Sequence, residues 1–174
     1  MVEYHDDEWG RPVSLDVYLF ERLSLEAFQA GLSWSTIDLH KREAFIRAFA
    51  DFDPDRVRAF DQADRSRLLA DATIVRNRAK IEATIGNAAA FAAVAAERGS
   101  FASYLAAQLP RSTPVLPHEA TRGDVPATTG ESDVLSADLR RRRFRFVGST
   151  IAYAFMQSVG LVDDHLPGCH RYQG

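Results

Sequence analysis

The stretch Asp16-Val17-Tyr18-Leu19-Phe20-Glu21-Arg22-Leu23-Ser24-Leu25-Glu26-Ala27-Phe28-Gln29-Ala30-Gly31 decides the fold class. Leu19, Leu23, Ala27 and Ala30 recur at three- and four-residue intervals, so they stripe one face of a helix from about Asp16 to Ala30. Gly31 then supplies a residue that ends helices without steric cost. Similar periodicity recurs downstream, and strand signals are weak throughout. A second helix is expected after Trp34, running to about Ala48. Asp53 and Pro54 pair an N-cap with proline at the first helical position, opening a short helix. Another falls at about Asp64 to Ala72. Ile81, Ile85, Ala88 and Ala92 stripe a long helix from about Arg78 to Glu97, closed by Gly99. Ser132 with Asp133 starts a helix whose far end, from Arg140, is cationic, as the helix dipole favours. Ile151 to Val159 is apolar nearly all round and reads as a central buried helix that Gly160 stops. Four prolines and two glycines break the pattern between Pro110 and Gly130, which makes that segment the longest loop. The expected fold class is all-α: a single compact helical domain with a long Pro/Gly-rich loop at about 110–130.

A chain of 174 residues suits one domain. With 46% hydrophobic and 26% charged residues it has the composition of an ordinary soluble globular protein. The single cysteine, Cys169, excludes an intrachain disulfide and fits a reducing cytoplasm. Met1 to Glu8 has neither the basic region nor the apolar run of a signal peptide. No run of ~20 apolar residues exists to cross a bilayer, so a cytoplasmic protein with no membrane partner is expected. The net charge of −3 weighs against a nucleic-acid partner, because phosphate contacts supply most non-specific affinity. A DNA-binding surface would have to be a local basic patch on an acidic body.

Three segments are more specific than generic helix. They are Tyr4-His5-Asp6-Asp7-Glu8-Trp9-Gly10, Leu25-Glu26-Ala27-Phe28-Gln29-Ala30-Gly31-Leu32-Ser33-Trp34, and Arg145-Phe146-Val147-Gly148-Ser149-Thr150 continuing to Gly160-Leu161-Val162-Asp163-Asp164-His165. Together they closely resemble the bacterial 3-methyladenine DNA glycosylase I family, a branch of the helix-hairpin-helix glycosylases. The likeness runs from Tyr4 to about Cys169 with the motifs in family order. It implies the helix-hairpin-helix glycosylase fold, excision of 3-methyladenine from alkylated double-stranded DNA by a monomer, and a structural zinc ion. Two departures stand out. The family carries further N-terminal residues with a Cys-x-Trp element and another aromatic, whereas Met1 here directly precedes the Tyr-His motif, so a shortened or mis-assigned start is expected. The segment Ala72-Thr73-Ile74-Val75-Arg76-Asn77-Arg78 occupies the hairpin position without its usual glycines.

Methylation at N3 makes adenine cationic within DNA, so the base is already a good leaving group and the pocket must select positive charge. Aromatic faces and a carboxylate do this, each ring contributing ~0.5–2 kcal/mol. The resemblance places Tyr4, Trp9 and Trp34 in that pocket, with Glu26 as the catalytic carboxylate that reads the flipped base. Whether Glu26 also activates water stays open. From the residues alone plainer readings stand beside these. Glu26 would suit a surface ion pair with Arg22 one turn earlier, the tryptophans would suit a core, and Tyr4 lies near a terminus where order is often lost. No lysine stands in an equivalent flanking position, so hydrolysis without a Schiff base is expected. Leu32, with Gln29 beside it, is the candidate wedge that holds the flipped state. Arg76, Arg78 and Lys80 are candidate phosphate contacts at a helix start, or else solvated helix surface. The arginines of Arg140–Arg145 read most simply as a charged helix end, with a second DNA contact as the alternative.

His165-x-x-x-Cys169 has ligand-like spacing, and Pro167 and Gly168 between them require a loop. Thiolate with imidazole suits zinc. The resemblance adds His5, so that one Zn2+ would clasp the two ends of the chain, with the family's fourth ligand, an N-terminal cysteine, missing here. His170 or water would complete the tetrahedron. Two rival functions remain at this point: a non-catalytic binder of alkylated DNA, and a zinc-dependent hydrolase of small molecules.

Overall fold

The computed structural model describes residues 2–31, 41–109 and 115–172. Among them nine α-helices and no strand occur: α1 Val2–Asp7, α2 Asp16–Gln29, α3 Arg42–Ala48, α4 Pro54–Arg58, α5 Gln62–Ala70, α6 Arg78–Arg98, α7 Phe101–Gln108, α8 Gly130–Arg141 and α9 Ser149–Ser158. The all-α expectation is met. None of these helices is long and apolar enough to cross a membrane.

Helix α2 is the pivot. Every residue from Leu19 to Gln29 is buried, and the helix packs against α6, α7 and α9. Around it Phe28 meets Phe45 at 4.6 Å between ring centroids, and Phe91 stacks on Phe101 at 4.0 Å. Residues Ala50, Asp51 and Phe52 have φ of 53°, 60° and 53°. Left-handed backbone costs about 1–2 kcal/mol per residue. Complete burial of Phe52, stacked on Phe49 at 5.5 Å, offsets that strain.

Local caps explain the helix starts. Asn77 accepts from the Lys80 amide at 3.2 Å and opens α6, and Asp53 caps α4. Helix α8 starts earlier than Ser132. Thr129 is its N-cap, and Ser132 is the third helical residue, closing a reciprocal capping box with it. Helices α1 and α7 were not anticipated. The periodic stripe is too short in both, although Ser100 caps α7 by accepting from the Ser103 amide.

The chain's two ends meet at two glycines. Gly10 has φ +72°, and a Cβ there would lie 2.6 Å from His165 Cε1. Gly160, also at φ +72°, would place a Cβ 2.6 Å from the backbone of Arg11 and Pro12. Only glycine permits both the left-handed turn and the close approach. Residues 10–13 thereby lie along the end of α9, where the Val13 amide donates to Val159 O at 3.3 Å.

Candidate active site and metal centre

Glu26 lies one turn from the end of α2 and is 7% exposed. The surface ion pair with Arg22 is not what forms. Arg22, itself buried, turns to the Glu8 carboxylate and stacks its guanidinium 4.9 Å from the Tyr4 ring centroid. Glu8 also receives Arg42 Nη1 at 2.8 Å, and Arg42 Nε reaches Glu21 at 2.6 Å. The result is a four-membered lattice of alternating charge. It joins the residue after α1 to α2 and to the first residue of α3. Burial pushes the Glu8 carboxyl up, but hydrogen bonds and charge from Arg42 and Arg22 outweigh it and hold the carboxyl below its ordinary range.

Tyr4 is therefore ordered rather than frayed, seated on α1 and held against Arg22 of the helix that carries Glu26. Its carbonyl accepts from the Glu8 and Trp9 amides at 3.0 and 2.8 Å, which turns the chain so that Trp9 faces inward. The Trp9 ring packs edge-on to His165 at 4.8 Å and lies 6.0 Å from the His5 ring. Gln29, the last residue of α2, is buried. Leu32 and Trp34 lie outside the described residues.

His5, His165 and Cys169 converge, with their ligand atoms all within 4.8 Å of one another. The two histidines are oriented alike. His5 Nδ1 meets Asp6 Oδ1 at 2.7 Å, and His165 Nδ1 meets Asp163 Oδ1 at 2.6 Å. Each imidazole thus directs Nε2 toward the cluster. His5 Nε2 is 3.5 Å from Cys169 Sγ, and His165 Nε2 is buried with no hydrogen-bond partner among the described residues. An orphaned buried nitrogen is costly unless something occupies its lone pair. Carboxylate-backed imidazoles beside a thiol are the donor set of a zinc site, so the residues present fit the ion. Asp6 and Asp163, which bond the two candidate ligand imidazoles, were not singled out by sequence reasoning. Both adjoin the quoted histidines, and a carboxylate one or two positions from a ligand histidine is the available signal. Asp164 steadies the same loop by accepting from Tyr153 at 2.7 Å and from Gln157.

Arg76 and Arg78 are exposed at the start of α6. Lys80 departs from the expectation of a phosphate contact. It is 8% exposed, and its ammonium donates to Phe28 O at 2.9 Å and Ala30 O at 2.6 Å. Its place on the first turn of α6 points it at the end of α2, where unpaired carbonyls offer partial negative charge. In the arginine run, Arg141 and Arg142 pair with Asp138, and Arg142 also with Glu97. These two act as helix-end charges.

Residues 1–172 match the model of the methyladenine glycosylase family. The chain is 43% identical over 173 residues to DNA-3-methyladenine glycosylase 1 of Escherichia coli strain K12, covering 99% of this chain and 91% of that protein. A crystal structure of 3-methyladenine DNA glycosylase I superposes with a TM-score of 0.93 at 42% identity, covering 99% of this chain and 93% of that one. The Staphylococcus aureus enzyme, solved to explain its recognition of 3-methyladenine, superposes at 0.92 with 34% identity, covering 99% and 91%. By sequence along nearly its whole length and by fold, this chain belongs to the methyladenine glycosylase family.

Proposed function

We propose that this protein is a DNA-3-methyladenine glycosylase of base-excision repair, a monofunctional hydrolase of the N-glycosidic bond. The observation that carries the reading is Glu26, a buried carboxylate on the helix against which Tyr4 is held, in a chain that matches the family over residues 1–172. The lesion's positive charge makes it attractive to the ring faces of Tyr4, Trp9 and Trp34 and to the Glu26 carboxylate. As the C1′–N9 bond breaks, the base leaves with the bonding pair and becomes neutral, while positive charge moves to the sugar. Glu26 stabilises that charge in a site with little competing water. Water adds to C1′ and releases a proton.

Extrusion of the base from a duplex costs a few kcal/mol. Leu32 and Gln29 are proposed to hold the gap open, and Arg76 and Arg78 to grip the backbone beside it. Double-stranded DNA, a monomeric state and a cytoplasmic setting complete the reading. His5, His165 and Cys169 would hold zinc, which supplies a structural cross-link. The chain's own residues do the positioning: Asp6 and Asp163 fix the imidazoles, and Trp9 packs between the clasp and the Tyr4 turn.

The test is release of 3-methyladenine from methylated duplex DNA under single-turnover conditions. Glu26→Gln is expected to lower the rate by about a hundredfold or more while retaining binding to an abasic-site duplex. Undiminished release would remove Glu26 from the chemistry. Wild-type protein that binds the abasic duplex yet releases no base would point instead to the non-catalytic binder.

A further inference from the structure

The chain has only two lysines, Lys41 and Lys80, among 21 lysine and arginine residues. Both ammonium groups are spent on backbone carbonyls of another element. Lys80 Nζ closes on Phe28 O and Ala30 O, the carbonyls on either side of Gln29. Lys41, the residue before α3, donates Nζ to Thr73 O at 3.1 Å. Thr73 is itself fixed, since its amide and hydroxyl both donate to Asp71, at 2.9 and 2.5 Å.

The two contacts have a common geometry. Residues 71–80 form the turn and helix start that present Arg76 and Arg78 outward. One lysine ties this stretch to the last turn of α2, directly after Glu26. The other ties it to the start of α3, from the residue just before that helix. Each contact is a cation against a carbonyl, which requires no carboxylate and leaves neighbouring acids undisturbed. A compact ammonium can converge on two carbonyls of one helix end, where a planar guanidinium fork suits carboxylates and phosphates. Burying Lys80 carries a desolvation cost that lowers the pKa of its ammonium, and an exposed position near DNA would avoid it.

We infer that Lys41 and Lys80 are positioning residues that set the register between the phosphate-gripping stretch 71–78 and the helix carrying Glu26. Lys80 does so directly, and Lys41 by way of α3, whose Arg42 pairs with Glu21 of α2. This rests on the proposed glycosylase reading and deepens it. Backbone contacts made by Arg76 and Arg78 are useful only if the extruded base arrives opposite Glu26. An error of about 1 Å in such an alignment costs up to a hundredfold in rate. The lysines act through the backbone they hold and touch neither phosphate nor base.

Two measurements test this. First, the wild-type protein is treated with an amine-acylating ester, with and without an abasic-site duplex, and modification at each lysine is read by mass spectrometry. Lys80 is expected to be protected in the free protein, with no change when DNA is added. Ready acylation that DNA suppresses would make Lys80 a phosphate contact and overturn the inference. This measurement needs no variant to fold and no base release, so it fails or succeeds independently of the glycosylase assay. Second, Lys80→Met and Lys41→Met are compared with wild type for salt dependence of abasic-duplex binding and for single-turnover excision. The expected result is an unchanged salt slope, with excision slowed about tenfold or more in Lys80→Met and less in Lys41→Met. A slope reduced by about 0.9, the value of one lost phosphate contact, with excision unaltered, would overturn the assignment. Unaltered slope and unaltered excision in both variants would overturn it equally.

Discussion

Glu8 shows how much a residue's meaning depends on what surrounds it. In the sequence it is one acid among 24 aspartates and glutamates. In the structure it is the hinge of the Arg22–Glu8–Arg42–Glu21 lattice, and through Arg22 it fixes the Tyr4 ring. Its carboxyl is depressed below the ordinary value of 4.5 in the folded protein. A depressed acid contributes stability that is present above its unfolded pKa and lost as pH falls through the folded one. Urea midpoints of wild type and Glu8→Gln should therefore differ at pH 7 and converge as pH falls below 4.5. A constant gap across that range would show that the lattice does not titrate with the fold. The same residue scale shows where legibility stops. The charge of Lys80 is plain in the sequence, but the direction of its side chain is not, because only packing of α6 on α2 brings Phe28 O and Ala30 O within reach. For Glu26, periodicity left a surface ion pair open, and the likeness to a family supplied the expectation of a base-reading role.

At the scale of the element, apolar spacing was the strongest guide. Ile81, Ile85 and Ala88 lie on the buried face of α6 as their spacing requires, although that face continues through Phe91 and Val94 and leaves Ala92 only partly buried. Helix α2, by contrast, is buried all round from Leu19 to Gln29, and its stripe singles out no one face. Helix ends were less legible. Thr129 rather than Ser132 caps α8: both are residue types that cap helices, and the reciprocal bond between them marks Thr129 as the cap and Ser132 as the third helical residue. Helix α1 has no stripe to betray it. Its order comes from Glu8 and Tyr4 docking on α2. The start of α6 presents Arg76 and Arg78 around the Asn77 cap, exposed while the following turn is buried. Replacing both arginines by alanine is expected to reduce the salt slope of duplex binding by about 1.8 without shifting thermal stability. An unchanged slope would place the DNA backbone elsewhere on the molecule.

For the whole molecule the decisive contact is between its ends. Cys169 Sγ and His5 Nε2 are 3.5 Å apart, and His165 packs edge-on to both Trp9 and His5. The sequence showed the ligand types and spacing of His165 and Cys169, the family resemblance added His5, and the fold brings the three together. Purified protein is expected to retain zinc. Removal by a chelator should lower the melting temperature by about 2–4 °C for each kcal/mol the ion contributes, and re-addition should restore it. Zinc-free protein that melts at the same temperature as the zinc-loaded form would reject a structural ion.

A clasp between residues 5 and 169 also constrains the order of events at the ribosome. Chains grow from the amino end, and each domain folds as its last partners emerge. Tyr4 and Trp9 are translated more than 150 residues before His165, the histidine against which Trp9 packs. Helix α2 can pack on α6 and α7 as these emerge, but the packing around Trp9 stays unfinished until His165 has been read. A polypeptide released before His165 would thus be a helical body in which Trp9 lacks the ring it packs on.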